Sequence, residues 1–146
     1  MKWTKVAIGC DHAGYELKEI LKKHIQDKGI QVEDFGTYST ESVDYPDYAH
    51  PLANSIEEGI NEIGFTICGS GNGINMTINK HQGIRGALCW IPEISKLARA
   101  HNDANICSLP GRFVNDKDAK EIVDLFLVTE FEGGRHSTRV DKINCK

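Results

Sequence analysis

The sequence has no apolar run long enough for a signal segment or a membrane span, because the apolar stretch behind Met1 to Lys5 is too brief for either. It also has no excess of basic residues, since 17 lysines and arginines stand against 21 aspartates and glutamates. A general basic surface for a polyanion such as duplex DNA is thereby excluded. We expect a cytoplasmic protein that binds neither nucleic acid nor membranes.

The five cysteines are odd in number and form no CxxC pair. This argues against a disulfide framework and against a zinc ribbon, so we expect reduced thiols. Internal repeats, low-complexity tracts and linkers are also absent. A chain of 146 residues with 40% apolar content supports one core and is too short for two ordinary domains. We therefore expect residues 1–146 to form a single domain.

Five short apolar segments, each bounded by glycine or polar residues, predict buried strands at residues 5–9, 31–35, 64–68, 86–89 and 106–109. Between them, apolar residues recur at helical spacing, as at Leu17, Ile20, Leu21 and Ile25. The alternation predicts a Rossmann-like α/β fold, a three-layer αβα sandwich around a five-stranded parallel sheet, with ligands beyond the carboxyl ends of the strands. Pro51 interrupts the second helical pattern and predicts either a kink in that helix or its start.

The first predicted strand is followed by Asp11 and His12, where the chain leaves the sheet. A carboxylate and an imidazole at this position favour contact with a ligand. An equally good interpretation is that Asp11 caps the following helix and that His12 is merely exposed. A metal site is not expected, because adjacent residues of an extended chain point in opposite directions and no third ligand stands at a typical spacing.

The third predicted strand ends at Cys68, and the glycine-rich loop of residues 69–73 follows it. Backbone amides and a helix start suit a phosphate or a negative charge that develops on a substrate oxygen. The loop matches neither a dinucleotide fingerprint nor a Walker loop. A helix start favours the thiolate of Cys68 as base or nucleophile, with Ser70 as its expected hydrogen-bond partner. The alternative is a small buried hydrophobe, which is our interpretation of Cys89 and Cys107.

His101 shares the apolar face of its predicted helix, so a buried core histidine is one interpretation and a titrating group at the edge of the sheet is the other. Three arginines supply positive charge: Arg112 follows the fifth strand, and Arg135 and Arg139 lie four residues apart behind a glycine pair. In a helix, this pair shares one face and suits one phosphate. The alternative is a solvated tail with surface ion pairs.

Five motifs occur in order along the chain: Gly9-Cys10-Asp11-His12, Asp44-Tyr45-Pro46, Cys68 to Gly73, His101 to Asn105, and Gly133 to Arg139. Together they resemble the ribose-5-phosphate isomerase B family, including its galactose-6-phosphate isomerase relatives, over nearly the whole chain. The resemblance implies an aldose–ketose isomerase of the pentose phosphate pathway. Such an enzyme interconverts ribose 5-phosphate and ribulose 5-phosphate through an enediol(ate), without metal or organic cofactor.

The resemblance also implies roles for single residues. Cys68 matches the catalytic base, Ser70 stands in the catalytic loop where threonine is common, and His101 matches the group that opens the furanose ring by acid catalysis. Substrate-binding positions match Asp11, His12, Tyr45, Gly69, Gly71, Asn72, Gly73 and Asn102, and phosphate-binding positions match Arg112, Arg135 and Arg139. Family members are dimers or tetramers whose sites draw on two subunits. We therefore expect a homodimer or a dimer of dimers, with a C-terminal arm from about residue 130.

One branch of the family uses a glutamate directly behind the glycine loop in place of the cysteine. This sequence has Ile74 there and no carboxylate between Glu62 and Glu93, which favours Cys68 as the base. Two other hypotheses are a hexose-phosphate isomerase, acting on allose 6-phosphate or galactose 6-phosphate, and a non-catalytic phosphosugar sensor on the same fold. A thiol-redox role ranks below them, since no resolving cysteine stands at CxxC spacing from Cys68.

Overall fold

The computed structural model describes residues 2–145. Five parallel strands form one sheet: β1 (Lys5–Cys10), β2 (Gln31–Asp34), β3 (Gly64–Cys68), β4 (Gly86–Leu88) and β5 (Ile106–Pro110). Their order across the sheet is β2-β1-β3-β5-β4, and every neighbouring pair is parallel. The predicted five-stranded parallel sheet is confirmed, and each strand ends within one residue of its predicted end.

Within residues 2–145, six helices accompany the strands: α1 (Tyr15–Gln26), α2 (Tyr45–Glu57), α3 (Asn72–Ile78), α4 (Pro92–Asn102), α5 (Asp116–Val128) and α6 (Arg135–Asp141). Helices α1, α4 and α5 bury apolar side chains against one face of the sheet, and α2 and α3 bury theirs against the other. This arrangement is the predicted three-layer αβα sandwich. None of the described helices is long and apolar enough to cross a membrane.

The larger of the two cores holds the sheet and α5 together through aromatic contact. Phe65 of β3 and Phe126 of α5 are fully buried, and their rings meet edge to face with centroids 5.5 Å apart. Burial of a side chain of this size contributes roughly 1.5–3 kcal/mol to stability. The core therefore fixes β3, and with it the strand end that carries Cys68.

The buried face of α1 differs from its predicted apolar stripe. Leu17, Leu21 and Ile25 are buried as predicted, whereas Ile20 is only half-buried and Lys18 is fully buried. The helix thus buries a charged residue that is not part of the predicted apolar stripe.

The Lys18 ammonium is satisfied by groups at the end of β2. Its Nζ lies 2.8 Å from each carboxylate oxygen of Asp34 and donates to the carbonyl oxygen of Thr37 at 2.7 Å. A buried charge is tolerated only when it is paired and hydrogen-bonded in this way. The interaction ties α1 to the segment that leaves β2.

Pro51 neither starts nor ends the second helix. Helix α2 begins at Tyr45, with Pro46 in its first turn, and continues through Pro51 to Glu57. Proline at the first turn costs no hydrogen bond, whereas Pro51 leaves one carbonyl of the preceding turn without its usual donor. The prediction that the helix starts at Pro51 is therefore wrong.

Strands β1 and β3 lie side by side, and the chain leaves them towards opposite faces of the sheet, into α1 and α3. A crevice forms where neighbouring strands diverge in this way, and ligands bind there in open α/β sheets. Gly14 allows the close packing needed at this point, because a Cβ at residue 14 would lie 2.6 Å from the carbonyl oxygen of Ile67. The fold places Asp11 and Cys68 at the same edge of the sheet.

Candidate active site

Asp11 leaves β1 beside the end of β3, since its backbone N–H donates to the carbonyl oxygen of Ile67 at 3.2 Å. Its side chain is buried, and Oδ1 accepts hydrogen bonds from the amides of Ala13 at 3.0 Å and Gly14 at 3.2 Å. The capping interpretation of Asp11 is therefore correct for one carboxylate oxygen. Among residues 2–145, Oδ2 has no recorded hydrogen-bond partner, which leaves it free for a ligand.

His12 is oriented by a neighbouring loop. Its Nδ1 accepts a hydrogen bond from the backbone N–H of Val43 at 3.1 Å. The proton of the neutral ring is therefore on Nε2, so the outer nitrogen is a hydrogen-bond donor. This arrangement suits an acceptor such as a sugar or phosphate oxygen.

Cys68 is the last residue of β3 and is only 4% exposed. Its carbonyl oxygen accepts from Gly111 at 2.8 Å, and the carbonyl oxygen of Gly69 accepts from the amide of Arg112 at 3.0 Å. A Cβ at residue 69 would lie 3.4 Å from Arg112 Nη1, so the guanidinium lies against the glycine loop. The structure thus brings Cys68, the loop and Arg112 together.

Gly71 turns the loop into α3 with a φ of 79°, a left-handed conformation that favours glycine. The first turn of α3 then presents backbone amides that precede the first bond of the helix, from Asn75 to the carbonyl oxygen of Gly71. Amides in this position suit a negative oxygen. The Ser70 hydroxyl accepts from the Asn72 amide at 3.3 Å, and no hydrogen bond to the Cys68 thiol is recorded among the described residues. The Ser70–Cys68 bond that the sequence allows is therefore not formed in this structure.

Tyr45, the first residue of α2, closes the loop from the other side. Its ring lies against Gly73 so closely that a Cβ at residue 73 would overlap the phenol. The ring remains 38% exposed. Asn72 and Tyr45 therefore lie at the same loop as Cys68, and their role in substrate binding stays a prediction.

Two other cysteines, Cys10 at the end of the neighbouring strand and Cys107, are buried thiols. Cys10 ends β1 and is fully buried, and burial raises the pKa of its thiol to about 12. Burial also raises the pKa of Cys107 well above its ordinary value. Both residues are therefore protonated thiols, in agreement with a structural role for Cys107.

His101 and Asn102 end α4, and the structure excludes a core histidine at position 101, because the His101 side chain is 39% exposed. The His101 ring stacks on the ring of His136 in α6. Arg135 and Arg139 lie four residues apart on the same helix and are both exposed. Both arginines therefore lie in a helix, the condition under which their spacing places them on one face.

The second group of residues lies away from Cys68. Helix α4 starts behind the carboxyl end of β4 and returns to the amino edge, where Asn105 accepts from Gly64, the first residue of β3. Cys68 ends the same strand, four residues along, which corresponds to roughly 13 Å at about 3.3 Å per residue. Within one chain, therefore, the predicted site residues form two groups at opposite edges of the sheet.

One cluster in the described part of the chain holds three groups close enough for a metal ion: His101, Glu132 and His136, whose ligand atoms lie within 4.8 Å of one another. The two imidazole rings are almost parallel, with an angle of 13° between their planes. A metal must lie near the plane of each ring that binds it, so both rings cannot bind one ion in this arrangement. Arg135 and Arg139 also place positive charge beside His136. The geometry does not favour a cation here.

His136 is not among the predicted site residues, although it adjoins Arg135. The signal that the sequence offers is its place between Arg135 and Arg139 in the Gly133 to Arg139 motif. Its contact with His101, 35 residues earlier, is a tertiary feature that no local pattern contains.

The fold and the site together define an α/β protein whose thiol and anion-binding loop lie at the carboxyl edge of a parallel sheet. Residues 6–143 match the family model described as Ribose/Galactose Isomerase. Because this match covers nearly the whole chain, the protein belongs to the ribose/galactose isomerase family. The resemblance seen in the motifs is thereby confirmed.

Individual relatives agree. A ribose-5-phosphate isomerase B of Escherichia coli is 43% identical over 141 residues, covering 97% of this chain and 95% of that protein. A solved structure of a ribose 5-phosphate isomerase from Thermotoga maritima matches with a TM-score of 0.94 at 51% identity, covering 96% of this chain and 97% of that one. The Mycoplasma genitalium ribose-5-phosphate isomerase B with bound ribulose-5-phosphate matches with a TM-score of 0.92 at 40% identity, covering 98% and 95%.

Proposed function

We propose that this protein is an aldose–ketose isomerase that interconverts ribose 5-phosphate and ribulose 5-phosphate. The observation that carries the proposal is the placement of Cys68. Its thiol ends a central strand at an amide-rich loop, Arg112 lies against that loop, and Asp11 leaves the neighbouring strand beside it. The relatives named as ribose-5-phosphate isomerases, one of them with bound ribulose-5-phosphate, support the same substrate.

The reaction moves a carbonyl from C1 to C2, and one base suffices for the carbon proton. The Cys68 thiolate removes the proton from C2 of the open-chain aldose, the C2–H electrons form the C1–C2 double bond, and the charge moves to O1. A proton then passes from O2 to O1, and the Cys68 thiol returns its proton to C1, which gives the ketose and regenerates the thiolate. A positioned base contributes on the order of 10² to 10⁴ in rate.

The glycine loop stabilises the negative oxygen of the enediolate. The start of α3 presents backbone amides whose hydrogens are not used by the helix. Fixed donors of this kind contribute about 3 to 4 kcal/mol each to the transition state. Ser70, whose hydroxyl accepts from Asn72, contributes by holding the loop in shape. No metal or organic cofactor is part of this proposal.

The sugar is held by groups around the thiol. Asp11 Oδ2 accepts from a sugar hydroxyl, His12 Nε2 donates to a sugar oxygen, and Tyr45 covers the site from α2. Arg112 holds the phosphate of the substrate, together with Arg135 and Arg139. Binding energy from the phosphate then fixes C1 and C2 against Cys68, so phosphate-free sugars lose turnover as well as affinity.

We also propose a homodimer or a dimer of dimers whose sites draw on two subunits. The separation of Cys68 from the group His101, Asn102, Arg135 and Arg139 supports this proposal. A second copy of the chain can bring its own group of these four residues to the sheet edge that carries Cys68. Exposed apolar side chains near Arg112 also support it. Phe113 is 63% exposed, and its ring packs at 5.3 Å on that of Trp90, which is 45% exposed. A symmetric dimer buries such surfaces and forms two equal sites.

In this proposal, His101 of one subunit opens the furanose ring bound in the other, with Asn102 beside it on the sugar. Arg135 and Arg139 hold the phosphate with paired donors suited to its oxygens. These arginines lie on the C-terminal arm from about residue 130, which is part of the same single domain. Contacts between α6 and α4 support that organisation. A cytoplasmic location belongs to the same proposal and is supported by five free cysteines.

Turnover of ribose 5-phosphate in D₂O tests the proposed function. We expect ribulose 5-phosphate to form, with solvent deuterium entering at the exchanged carbon. Ribose 5-phosphate, allose 6-phosphate and galactose 6-phosphate should be compared at equal concentration, with the pentose preferred. Calorimetric binding of ribose 5-phosphate with neither conversion nor deuterium exchange in folded protein would contradict the proposal and favour a sensor.

A further inference from the structure

The imidazole of His101 lies on the imidazole of His136. The ring centroids are 4.3 Å apart, and the planes are inclined by only 13°. Glu132 lies beside both rings, with Oε1 3.9 Å from His101 Nε2 and 3.7 Å from His136 Nε2. The three side chains come from α4, the segment before α6, and α6.

The two rings differ in their exposure. His136 is 8% exposed, whereas the His101 side chain is 39% exposed. The segment that carries His136 is attached to α4 by a hydrogen bond from the Glu132 amide to the carbonyl oxygen of Ala100 at 3.0 Å. The His136 amide donates to Gly133 at 3.0 Å, which closes the turn into α6. His136 is thus the buried surface against which the more exposed ring of His101 rests.

We propose that His136 is a positioning residue for the isomerase reaction and holds the His101 imidazole in the orientation that ring opening requires. This inference rests on the proposed function, because it assumes that His101 acts on the furanose ring. It adds a residue that the motif contains but that the proposed mechanism leaves without a role. His136 acts through His101 and does not itself touch the substrate.

The charges around the pair agree with this division of roles. Burial, together with the positive charges of a protonated His101, Arg135 and Arg139, lowers the pKa of His136, and Glu132 opposes this only in part. These surroundings therefore favour the neutral form of His136. A proton carried by His101 then lies against a neutral ring and near the Glu132 carboxylate, which avoids two stacked cations.

Stacking predicts a specific order among substitutions. His136→Ala removes the flat surface, so the His101 ring turns away from its productive orientation, and kcat on ribose 5-phosphate falls about tenfold to a hundredfold. His136→Phe keeps a flat ring of similar size and retains most of kcat. His24→Ala is a matched control, since His24 is a half-buried histidine that bonds Asp124 between α1 and α5, far from the site.

The experiment uses two substrates that differ in the need for ring opening. Ribose 5-phosphate enters mainly as a closed ring, whereas ribulose 5-phosphate is open-chain because its phosphate occupies the oxygen that would close a furanose. Deuterium exchange from D₂O into C1 of ribulose 5-phosphate requires Cys68 and the loop but no ring opening. In His136→Ala, we expect this exchange within about twofold of the wild-type rate, while turnover of ribose 5-phosphate falls as stated.

Three outcomes overturn the inference: an unchanged kcat in His136→Ala, an equal loss in His136→Ala and His136→Phe, or a rise in KM for both sugars with kcat retained. The last outcome would show that His136 only places the arginines of α6. Each presupposes a wild-type protein that converts ribose 5-phosphate. If the wild type itself lacks this activity, the proposed function fails, so the two failures are distinguishable.

Discussion

The ring of Tyr45 lies directly on the backbone of Gly73, in space that any side chain at position 73 would fill. The contact joins the first residue of α2 to the first turn of α3, so two elements on the same side of the sheet meet at the loop behind Cys68. A glycine at position 73 is thus required for the close approach of the Tyr45 ring to the loop.

Gly73→Ala tests this relationship. The new methyl group pushes the phenol of Tyr45 away from the loop. Because the groups at the loop are then displaced, we expect kcat/KM on ribose 5-phosphate to fall about tenfold or more. The far end of Tyr45 is partly exposed and can shift, so the melting temperature should change little. Gly71→Ala is the comparison, because residue 71 has a positive φ and a Cβ there would lie 3.2 Å from the Leu109 backbone. That variant should lose stability as well. A Gly73→Ala protein with wild-type kcat/KM would show that the contact between Tyr45 and Gly73 does not contribute to activity.

The thiol of Cys68 should be essential, and Cys10 offers a matched control at the adjacent strand end. We expect Cys68→Ala to lower kcat by about 10² to 10⁴, because the carbon proton loses its base, while ribose 5-phosphate still binds by calorimetry. Cys10→Ala should keep kcat, since burial holds the pKa of Cys10 at about 12 and its thiolate is not formed. Comparable losses in both variants would mean that the loss reflects packing, and near-normal turnover in Cys68→Ala would remove its role as base.

Much of this site could be predicted from the sequence because its parts are local. The buried segments are short and separated by helical spacing, so the sheet and the position of Cys68 at a strand end follow from pattern alone. Arg112 lies at the loop because β5 neighbours β3, which is a consequence of the strand order. The opposite location of His101 follows from the same topology, since a helix that follows a parallel strand runs back to the amino edge of the sheet.

Other features depend on partners that are distant in sequence. Lys18 looks like a solvated helix residue, and only the position of Asp34, 16 residues later, makes its burial favourable. The His101 ring lies outside the core because it stacks on the ring of His136 in α6. The Ser70 hydroxyl bonds the Asn72 amide, a local turn contact that competes with the expected bond to Cys68. Side-chain hydrogen bonds of this kind are decided by loop geometry and not by residue type.

Mixing two inactive variants tests the proposed sharing of sites between subunits. Cys68→Ala and His101→Ala each lack one of the two groups, so each homo-oligomer should be weakly active. In a mixed dimer, one site combines the intact Cys68 of one subunit with the intact His101 of the other. Random reassembly gives half mixed dimers with one of two sites restored, so activity should recover to about a quarter of the wild-type value. No recovery, with hybrid formation shown by mass spectrometry, would place both groups of a site in one chain.

Loss of the Lys18 ammonium should destabilise the fold. Lys18→Met keeps a side chain of similar length but leaves the largely buried Asp34 carboxylate without its main partner. Removal of one partner of a buried ion pair costs about 3 to 5 kcal/mol of folding free energy. The bond from Lys22 to Asp34 at 3.0 Å remains and favours the lower end of this range. Urea unfolding followed by circular dichroism measures the change. Lys23→Met is the control, because its pair with Asp27 is exposed and should contribute little.

Asp34 should make the stability of the protein sensitive to acid. Burial raises the pKa of this carboxyl, but the hydrogen bonds from Lys18, the Gly36 amide and Lys22 outweigh burial and hold the pKa below its ordinary value of 3.8. Because the folded pKa is lower than the unfolded one, the contribution of Asp34 is complete above pH 3.8 and is lost as the pH falls through the folded value.

Asp34→Asn removes this titration. The difference in unfolding free energy between the wild type and Asp34→Asn should be largest near pH 7 and should shrink as the pH falls below 3.8, the ordinary value of the carboxyl. Asp27→Asn serves as control, because its exposed pair with Lys23 should leave the acid dependence unchanged. Urea unfolding at a series of pH values from 7 to about 3 measures both differences. Parallel curves for the wild type and Asp34→Asn would contradict the assignment, since a carboxylate stabilised by Lys18 cannot be protonated without loss of folding free energy.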